Sequence, residues 1–451
     1  MKEIKQYTDV FLIGIGGIGM SALARYFKQK GLHVAGYDKT SSELTNTLTS
    51  EGIDVTYSEM VSGSIKNLPK ASTLIIYTPA LVKTSKLVEY FTSKGFELFK
   101  RSEVLGFITK VLPTIAVAGT HGKTTTSATL IHLLKANGIK LLGFCGGILQ
   151  NYNTNYIGDG EEVVVVEADE FDRSFLHLHP TAAVINSMDA DHLDIYETTE
   201  KLVGTFQEFA GRVPKNHLYA KSGLKLKDAH FISLYENAEV QVQDIRVENG
   251  CYTFNFKTGN CYLKNLQFYL PGHHNIFNAA AALALAIDFK PQLAHSFGKA
   301  LQSFKGVKRR FNYLHKTKDL VLIDDYAHHP KEIDAVHQAV SEMHPEKRTV
   351  VIFQPHLYSR TKDFAQEFAI SLARFDEVYL LDIYSAREEP IDGVTSEFLL
   401  NLIQNQNKYL ITKTDISKRI ETAHGEVVAL LGAGDIGVEA MKLKKDLHEM
   451  D

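Results

Sequence analysis

The sequence predicts an α/β protein of three domains, each built on a parallel sheet. Two observations carry this. Short apolar runs stop at unusual turns near residues 14, 119 and 325, and helical periodicity follows each, over 19–30, 124–137 and 331–342. Strand, loop and helix in that order open a parallel α/β unit. The length, 451 residues, suits two or three domains at about 150 residues each.

The first run is Val10–Gly14, with Leu74–Tyr77 further along the same segment. The second is Thr114–Ala118, followed by Val163–Val166 and Ala182–Ile185. The third is Leu320–Asp324, followed by Thr349–Phe353, Val378–Leu381 and Val427–Leu431. β-Branched runs this short, bounded by Gly or polar residues, suit strands buried on both faces. Residues 217–270 differ: the alternation in Glu239–Asp244 and Tyr252–Phe256 predicts a small antiparallel patch. Boundaries are expected near 105 and 306, which gives domains 1–105, 106–306 and 307–451.

Composition excludes several classes. Forty-nine Lys and Arg oppose 53 Asp and Glu, a net charge of −4, so no basic surface calls for nucleic acid or anionic lipid. Cys145, Cys251 and Cys261 are too few and too scattered for a disulfide framework or a zinc cluster, and fit a reduced cytoplasmic chain. No run approaches the roughly 20 apolar residues of a membrane span. The apolar N-terminal stretch is broken by glycines at 14, 16, 17 and 19, which reads as a strand ending in a backbone turn rather than a signal peptide.

Those glycines form G-x-G-x-x-G. Gly14, Gly16, Gly17 and Gly19 permit a tight turn and close approach of backbone amides to a pyrophosphate, with Asp38 placed as a ribose-binding acid. The motif fits a dinucleotide or a UDP-sugar, or a tight turn with no ligand. Gly119-Thr120-His121-Gly122-Lys123-Thr124-Thr125 has the logic of a phosphate loop: backbone amides cradle phosphates, Lys123 on an exposed loop neutralises them, and the Thr124 hydroxyl can ligate Mg²⁺. Its spacing departs from G-x-x-x-x-G-K-[ST], because Val117 stands where glycine belongs.

Glu167-Ala-Asp169-Glu170-Phe-Asp172 follows a strand, so its acids face the crevice where a cation opposite the phosphate loop would sit. His192, between acids after another strand, is either a metal ligand or an ordinary polar residue. Asn275 and Asn278 open an Ala-rich helix, where amide side chains read a purine or cap the helix. Arg310, Asp325, His328, Arg360 and Arg387 cluster around strand ends of the third segment. Arginine there suits carboxylate or phosphate recognition, or forms a surface ion pair.

Taken in order, the strings GIGGIGMS, GTHGKTTT, EADEFDRSFLHLHP, DADHLDIYE, GHHNIFN, KRRF, DDYAHHP, QPHLYSRT and LLGAGDIG span almost the whole chain and resemble the Mur ligase family of ATP-dependent amide-forming enzymes. The resemblance implies a Rossmann-like N-terminal domain for UDP-sugar, a central P-loop-type ATPase domain, and a C-terminal Rossmann-like domain that helps bind an amino acid. It implies ATP and Mg²⁺ as cofactors, with Lys123 and Thr124 on the phosphates and Thr124, Glu167 and His192 on the metal. Asn275 and Asn278 match positions near adenine, and Asp325 matches a ribose contact. Arg360 lies near the reacting centre. The implied partners are UDP-N-acetylmuramate and L-alanine, in a monomer or a dimer; a branch that joins a murein tripeptide instead is the alternative. Phe171, where the L-alanine branch often carries Ser, keeps that alternative open.

Overall fold

The structure, a computed structural model, describes residues 6–61, 63–78, 85–189, 196–248, 250–386 and 388–450. Three sheets organise them. The first contains β1 (Asp9–Ile13), β2 (His33–Tyr37), β3 (Asp54–Thr56), β4 (Thr73–Tyr77) and β5 (Leu98–Lys100). Its order is β3-β2-β1-β4-β5, all parallel. The order reverses beside β1, so the loop leaving β1 sits at a switch point, where ligands of parallel sheets bind.

The second sheet contains β6 (Thr114–Ala118), β7 (Leu141–Leu149), β8 (Thr154–Gly158), β9 (Val163–Ala168), β10 (Ala182–Ile185), β11 (Leu218–Lys221), β12 (His230–Ser233), β13 (Val240–Glu248), β14 (Cys251–Thr258) and β15 (Cys261–Phe268). Its order is β15-β14-β13-β12-β11-β10-β6-β9-β7-β8. β6 lies between β9 and β10, parallel to both, and every residue of its TIAVA is buried. The patch expected over 217–270 is not a sheet of its own: β11, β12 and β13 each pair parallel with the strand before them and extend the central sheet, and β14 and β15 continue it as neighbours joined by Gly259 and Asn260 alone, a link short enough only for an antiparallel pair. Alternation reports that one face is buried; it does not report the direction of the partner strand.

The third sheet contains β16 (Asn312–Lys316), β17 (Leu320–Asp325), β18 (Arg348–Phe353), β19 (Glu377–Leu380), β20 (Lys408–Leu410) and β21 (Glu426–Leu431), in the order β16-β17-β21-β18-β19-β20. β16 is antiparallel to β17 and the rest are parallel. Apolar layers cover both faces, one including Ile323, Val351 and Phe368, the other Leu322, Ile352 and Ile436. This accounts for the near-continuous apolar runs.

The chain divides into two compact units: Met1–Asp244 with Phe254–Leu266 and Phe277–Lys305, and Ile245–Thr253 with Gln267–Ile276 and Gly306–Asp451. The first sheet and most of the second share one unit, in which the helix Ile18–Gln29 packs against both. Arg25 on this helix donates to Glu51 at 2.7 Å and also to Asn155, whose amide donates to Ser21 Oγ at 2.9 Å. Tyr26 packs its ring against Phe144 and Tyr156 of the second sheet. Among the described residues, no helix is long and apolar enough to cross a membrane.

The amino ends of the third sheet carry a charge network. Glu377 and Glu426 are buried, and Arg419 donates to both, at 3.1 and 2.7 Å. Arg348 approaches the same two carboxylates. Removing Arg419 leaves buried carboxylates short of a partner, which is costly. Arg419→Met should therefore lower unfolding free energy by about 3 kcal/mol in a urea melt, with activity per folded molecule unchanged.

Candidate active site

Three glycine-bearing loops lie at the carboxyl ends of β1, β6 and β21, and their backbone groups have different fates. In the loop after β1, Gly14 and Ile15 donate to the Tyr37 carbonyl at 2.7 and 3.0 Å, and Gly17 donates to Gly14 at 3.1 Å. Gly16 donates to Asp38 Oδ2 at 2.8 Å. The expectation that Gly14, Gly16 and Gly17 offer amides to a pyrophosphate is thus corrected: those amides are engaged within the loop. Asp38, expected at a ribose, holds the loop shut from behind. The donors available to an anion move one step along the chain, to Ile18, Gly19 and Met20, whose amides have no intrahelical acceptor. Gly16 is required sterically, since a Cβ there would stand 2.7 Å from Thr45 Cγ2 and 2.8 Å from Asp38 Oδ2.

The loop after β6 is stitched to the end of β10. Ser187 accepts from the amides of Thr120, through its carbonyl at 3.3 Å, and of His121, through its hydroxyl at 2.8 Å. Its hydroxyl also meets Thr120 Oγ1 at 2.9 Å. Gly119 (φ +129°) approaches this strand end so closely that a Cβ would stand 2.8 Å from the Ser187 nitrogen. Gly122 (φ +79°) caps the helix Lys123–Ala136 in the left-handed region, where a Cβ would meet Asn278 Oδ1 at 2.5 Å. The amides of Gly122, Lys123, Thr124 and Thr125 are the donors that this helix start leaves without intrahelical acceptors.

Lys123 is not exposed, as the sequence reading had it. Its ammonium donates to the Gly119 carbonyl at 2.7 Å and to both oxygens of Glu170 at 2.9 and 2.8 Å. The Glu170 side chain is fully buried and that of Lys123 is 16% exposed. Burial works against the Lys123 charge, but Glu170, with Asp169 and Glu167 nearby, overcomes it and holds the ammonium above its ordinary range. Tyr196 donates its hydroxyl to the Glu170 carbonyl. Glu170 was missed as a site residue: in the sequence it is one acid among four, and nothing in the spacing separates it from its neighbours.

Glu167 is the acid that faces Thr124. Its Oε2 accepts from Thr124 Oγ1 at 3.1 Å, and its Oε1 accepts from Ser127 Oγ at 3.2 Å and from the Gly146 amide. Thr124 and Glu167 are thus brought together as expected for hard-cation ligands. His192 lies outside the described residues, and among the described residues no group of three or more His, Cys, Asp or Glu side chains is arranged to hold a metal. Asn278, expected near adenine, is buried behind the loop, where it accepts from Thr126 Oγ1 at 3.1 Å; Asn186 donates to the same hydroxyl at 2.9 Å. The side-chain oxygen of Asn278 thus supports the loop. Asn275 is also buried, and donates back to the Pro271 carbonyl at 2.6 Å where the helix His273–Phe289 begins.

A pocket of about 220 Å³ joins the first two loops. Ile18, Gly19 and Arg101 line it together with Lys123, Glu167 and Asp169.

In the second unit, Asp325 accepts from the Phe311 amide at 2.6 Å and the Ala327 amide at 2.7 Å. The expected ribose acid therefore shapes the 309–311 turn. Arg310 lies over the Tyr326 ring at 5.3 Å and 3.9 Å from Glu332. His328 Nδ1 is 2.9 Å from the Tyr326 carbonyl. Burial pushes its imidazole below the ordinary range; Glu332 opposes this, while Arg360 and Arg310 add to it. The neutral form of His328 is thereby favoured, and the Tyr326 carbonyl suits a proton on Nδ1. Arg360 sits on the helix Tyr358–Asp363 close enough to act on this ring. Arg387 lies outside the described residues. The loop after β21 turns its carbonyls inward: Arg309 donates to Gly432 at 2.5 Å and to Gly434 at 3.3 Å.

These sheets and loops define a ligase architecture, and the chain belongs to the Mur ligase family. It matches the Mur ligase family catalytic domain over residues 9–111, the Mur ligase middle domain over 117–286, and the glutamate ligase domain of Mur ligases over 309–438. It is 53% identical to the UDP-N-acetylmuramate–L-alanine ligase of Christiangramia forsetii, across the full length of both chains. The structure of the UDP-N-acetylmuramate–alanine ligase of Thermotoga maritima superposes with a TM-score of 0.84 at 25% identity, covering 98% of this chain and 100% of the other. A murein peptide ligase of Psychrobacter arcticus shares the fold at a TM-score of 0.70 and 21% identity, covering 98% of each chain.

Two predictions follow from the buried charges. Lys123→Ala should cut turnover by on the order of 100-fold or more, and should also lower stability by about 3 kcal/mol by stranding Glu170. Adding Glu170→Gln should recover most of the stability in a melt and none of the turnover. Burial raises Asp324 and Asp325 to about 6 each, against the opposing pull of Arg309 on the first and Arg310 on the second. Folded protein then keeps protons that an unfolded chain has released, so their contribution to stability falls as pH rises from about 4 to about 6 and is flat above. Asp324→Asn should flatten that slope in melts across the window.

Proposed function

We propose that this protein joins L-alanine to the lactyl carboxylate of UDP-N-acetylmuramate at the expense of ATP. The pocket carries the reading. A carboxylate can attack a phosphate only if the sugar nucleotide and the polyphosphate meet in one enclosure. Here the helix start after the β1 loop and Lys123 with Glu167 line one pocket. The likeness to ligases named for this reaction supports the same substrates.

The lactyl carboxylate attacks the γ-phosphorus of ATP, the bond to the β,γ-bridging oxygen breaks, and ADP leaves. The resulting acyl phosphate is attacked by the deprotonated amine of L-alanine, and phosphate departs from the tetrahedral intermediate as the amide forms. Lys123 supplies positive charge to the transferring phosphoryl group, held on station by Glu170. The amides of Gly122–Thr125 take phosphate oxygens. Thr124 Oγ1 and Glu167 Oε2 are hard oxygen donors fit for Mg²⁺, and His192 is proposed as a further ligand. When bound, the ion supplies charge neutralisation on the phosphates.

In the second unit, Arg360 and Arg387 are candidates for the L-alanine carboxylate, through the bidentate fork that suits it. Arg310, Asp325 and Asn275 are assigned to the ATP side, and His328 to the acceptor side. On this reading the divisions near 105 and 306 separate the sugar-nucleotide, ATP and amino-acid domains, and the substrates place the enzyme in the cytoplasm.

The acceptor is decided by competition. With saturating ATP and UDP-N-acetylmuramate, equal concentrations of L-alanine and the murein tripeptide should yield the L-alanine product, with ADP release requiring both the sugar nucleotide and an amine. Glycine and L-serine should be weak substrates, since one methylene is worth about 1–3 kcal/mol. Preferential incorporation of the tripeptide would reassign the acceptor and leave the ligase chemistry in place.

A further inference from the structure

Arg101 belongs to none of the motifs read from the sequence, yet it stands in the wall of the pocket that Lys123 also lines. It is the first residue of the helix Arg101–Val111, immediately after β5. Its side chain is 28% exposed and lies 3.6 Å from Asp169 Oδ2, beyond direct hydrogen-bonding distance. Among the described residues, no hydrogen bond holds the guanidinium, and Asp169, which lines the same pocket, is its ionic neighbour.

Gly19 makes this placement possible. A Cβ at Gly19 would stand 2.5 Å from Arg101 Nη1 and 3.1 Å from its Cδ and Cζ. The last glycine of G-x-G-x-x-G therefore makes room for a guanidinium, a different task from the turn geometry of Gly14 and Gly16.

We infer that Arg101 binds the lactyl carboxylate of the sugar nucleotide and presents it to the γ-phosphate. The inference rests on the ligase reading above. The carboxylate must approach a polyanion, and that repulsion needs a cation on the carboxylate side as well as on the phosphate side. Lys123 serves the phosphate side. Arg101 lines the pocket with Ile18 and Gly19, at the helix start whose amides suit the sugar nucleotide, and its planar fork matches a carboxylate in two parallel bonds. Asp169 keeps the guanidinium turned toward the pocket until the substrate carboxylate arrives.

The test compares two sugar nucleotides that differ at the lactyl group. UDP-N-acetylmuramate carries the carboxylate and UDP-N-acetylglucosamine lacks it. In calorimetry on the full chain, Arg101→Met should weaken binding of the first by about 10- to 100-fold and leave binding of the second, and of ATP, unchanged. Arg101→Lys should fall between Met and wild type, because it keeps the charge and loses the fork. Equal loss of both sugar nucleotides in Arg101→Met, or loss of neither, overturns the assignment while the ligase reading stands. A wild-type protein that binds neither sugar nucleotide overturns the ligase reading, and this inference with it.

Discussion

The ammonium of Lys123, buried against the carboxylate of Glu170, is the interaction around which the centre of this protein is arranged. A charge placed there must be matched, and the match ties the phosphate loop after β6 to the acidic loop after β9. Tyr196 fixes the Glu170 backbone from one side, and the Gly119 carbonyl holds Lys123 from the other. Two neighbouring strands of one parallel sheet thereby deliver a cation and an acid to the same few ångströms. Glu167, three residues before Glu170, is left to face Thr124.

The three glycine-bearing loops show how similar sequence becomes different chemistry. After β1, the amides of the glycine turn are spent on Tyr37, Asp38 and Gly14, so the loop is a rigid support and the helix start beyond it meets the pocket. After β6, Ser187 consumes the first two amides, and those of Gly122–Thr125 remain for phosphate oxygens. After β21, carbonyls turn inward and an arginine from residue 309 fills the space. Glycine permits all three outcomes because it restricts neither φ nor the approach of neighbours; the neighbour decides which one occurs.

Much of the site was legible in advance. Lys123, Thr124 and Glu167 stand together because Gly-Lys-Thr and an acidic run each follow a buried strand, and parallel strands bring their carboxyl ends to one edge. For Asn278 and Asp325 the sequence did not show the contacts their side chains make. Asn278 turns to Thr126 and Asp325 to two backbone amides, contacts made with residues 152 and 14 positions away. Glu170, Ser187 and Arg101 escaped notice for the same reason: their partners are distant in sequence.

By itself the sequence determined the α/β class, the positions of the strand–loop–helix openings and the phosphate-loop chemistry. These follow from hydrophobic period, β-branched content and turn residues, all of which act over a few neighbours. The tertiary structure decided the direction in which β11–β13 pair, which carboxylate receives Lys123, and which amides stay available to an anion. Those depend on packing between segments far apart along the chain. A buried polar group takes whichever partner the fold brings within about 3 Å, and local sequence does not encode that distance.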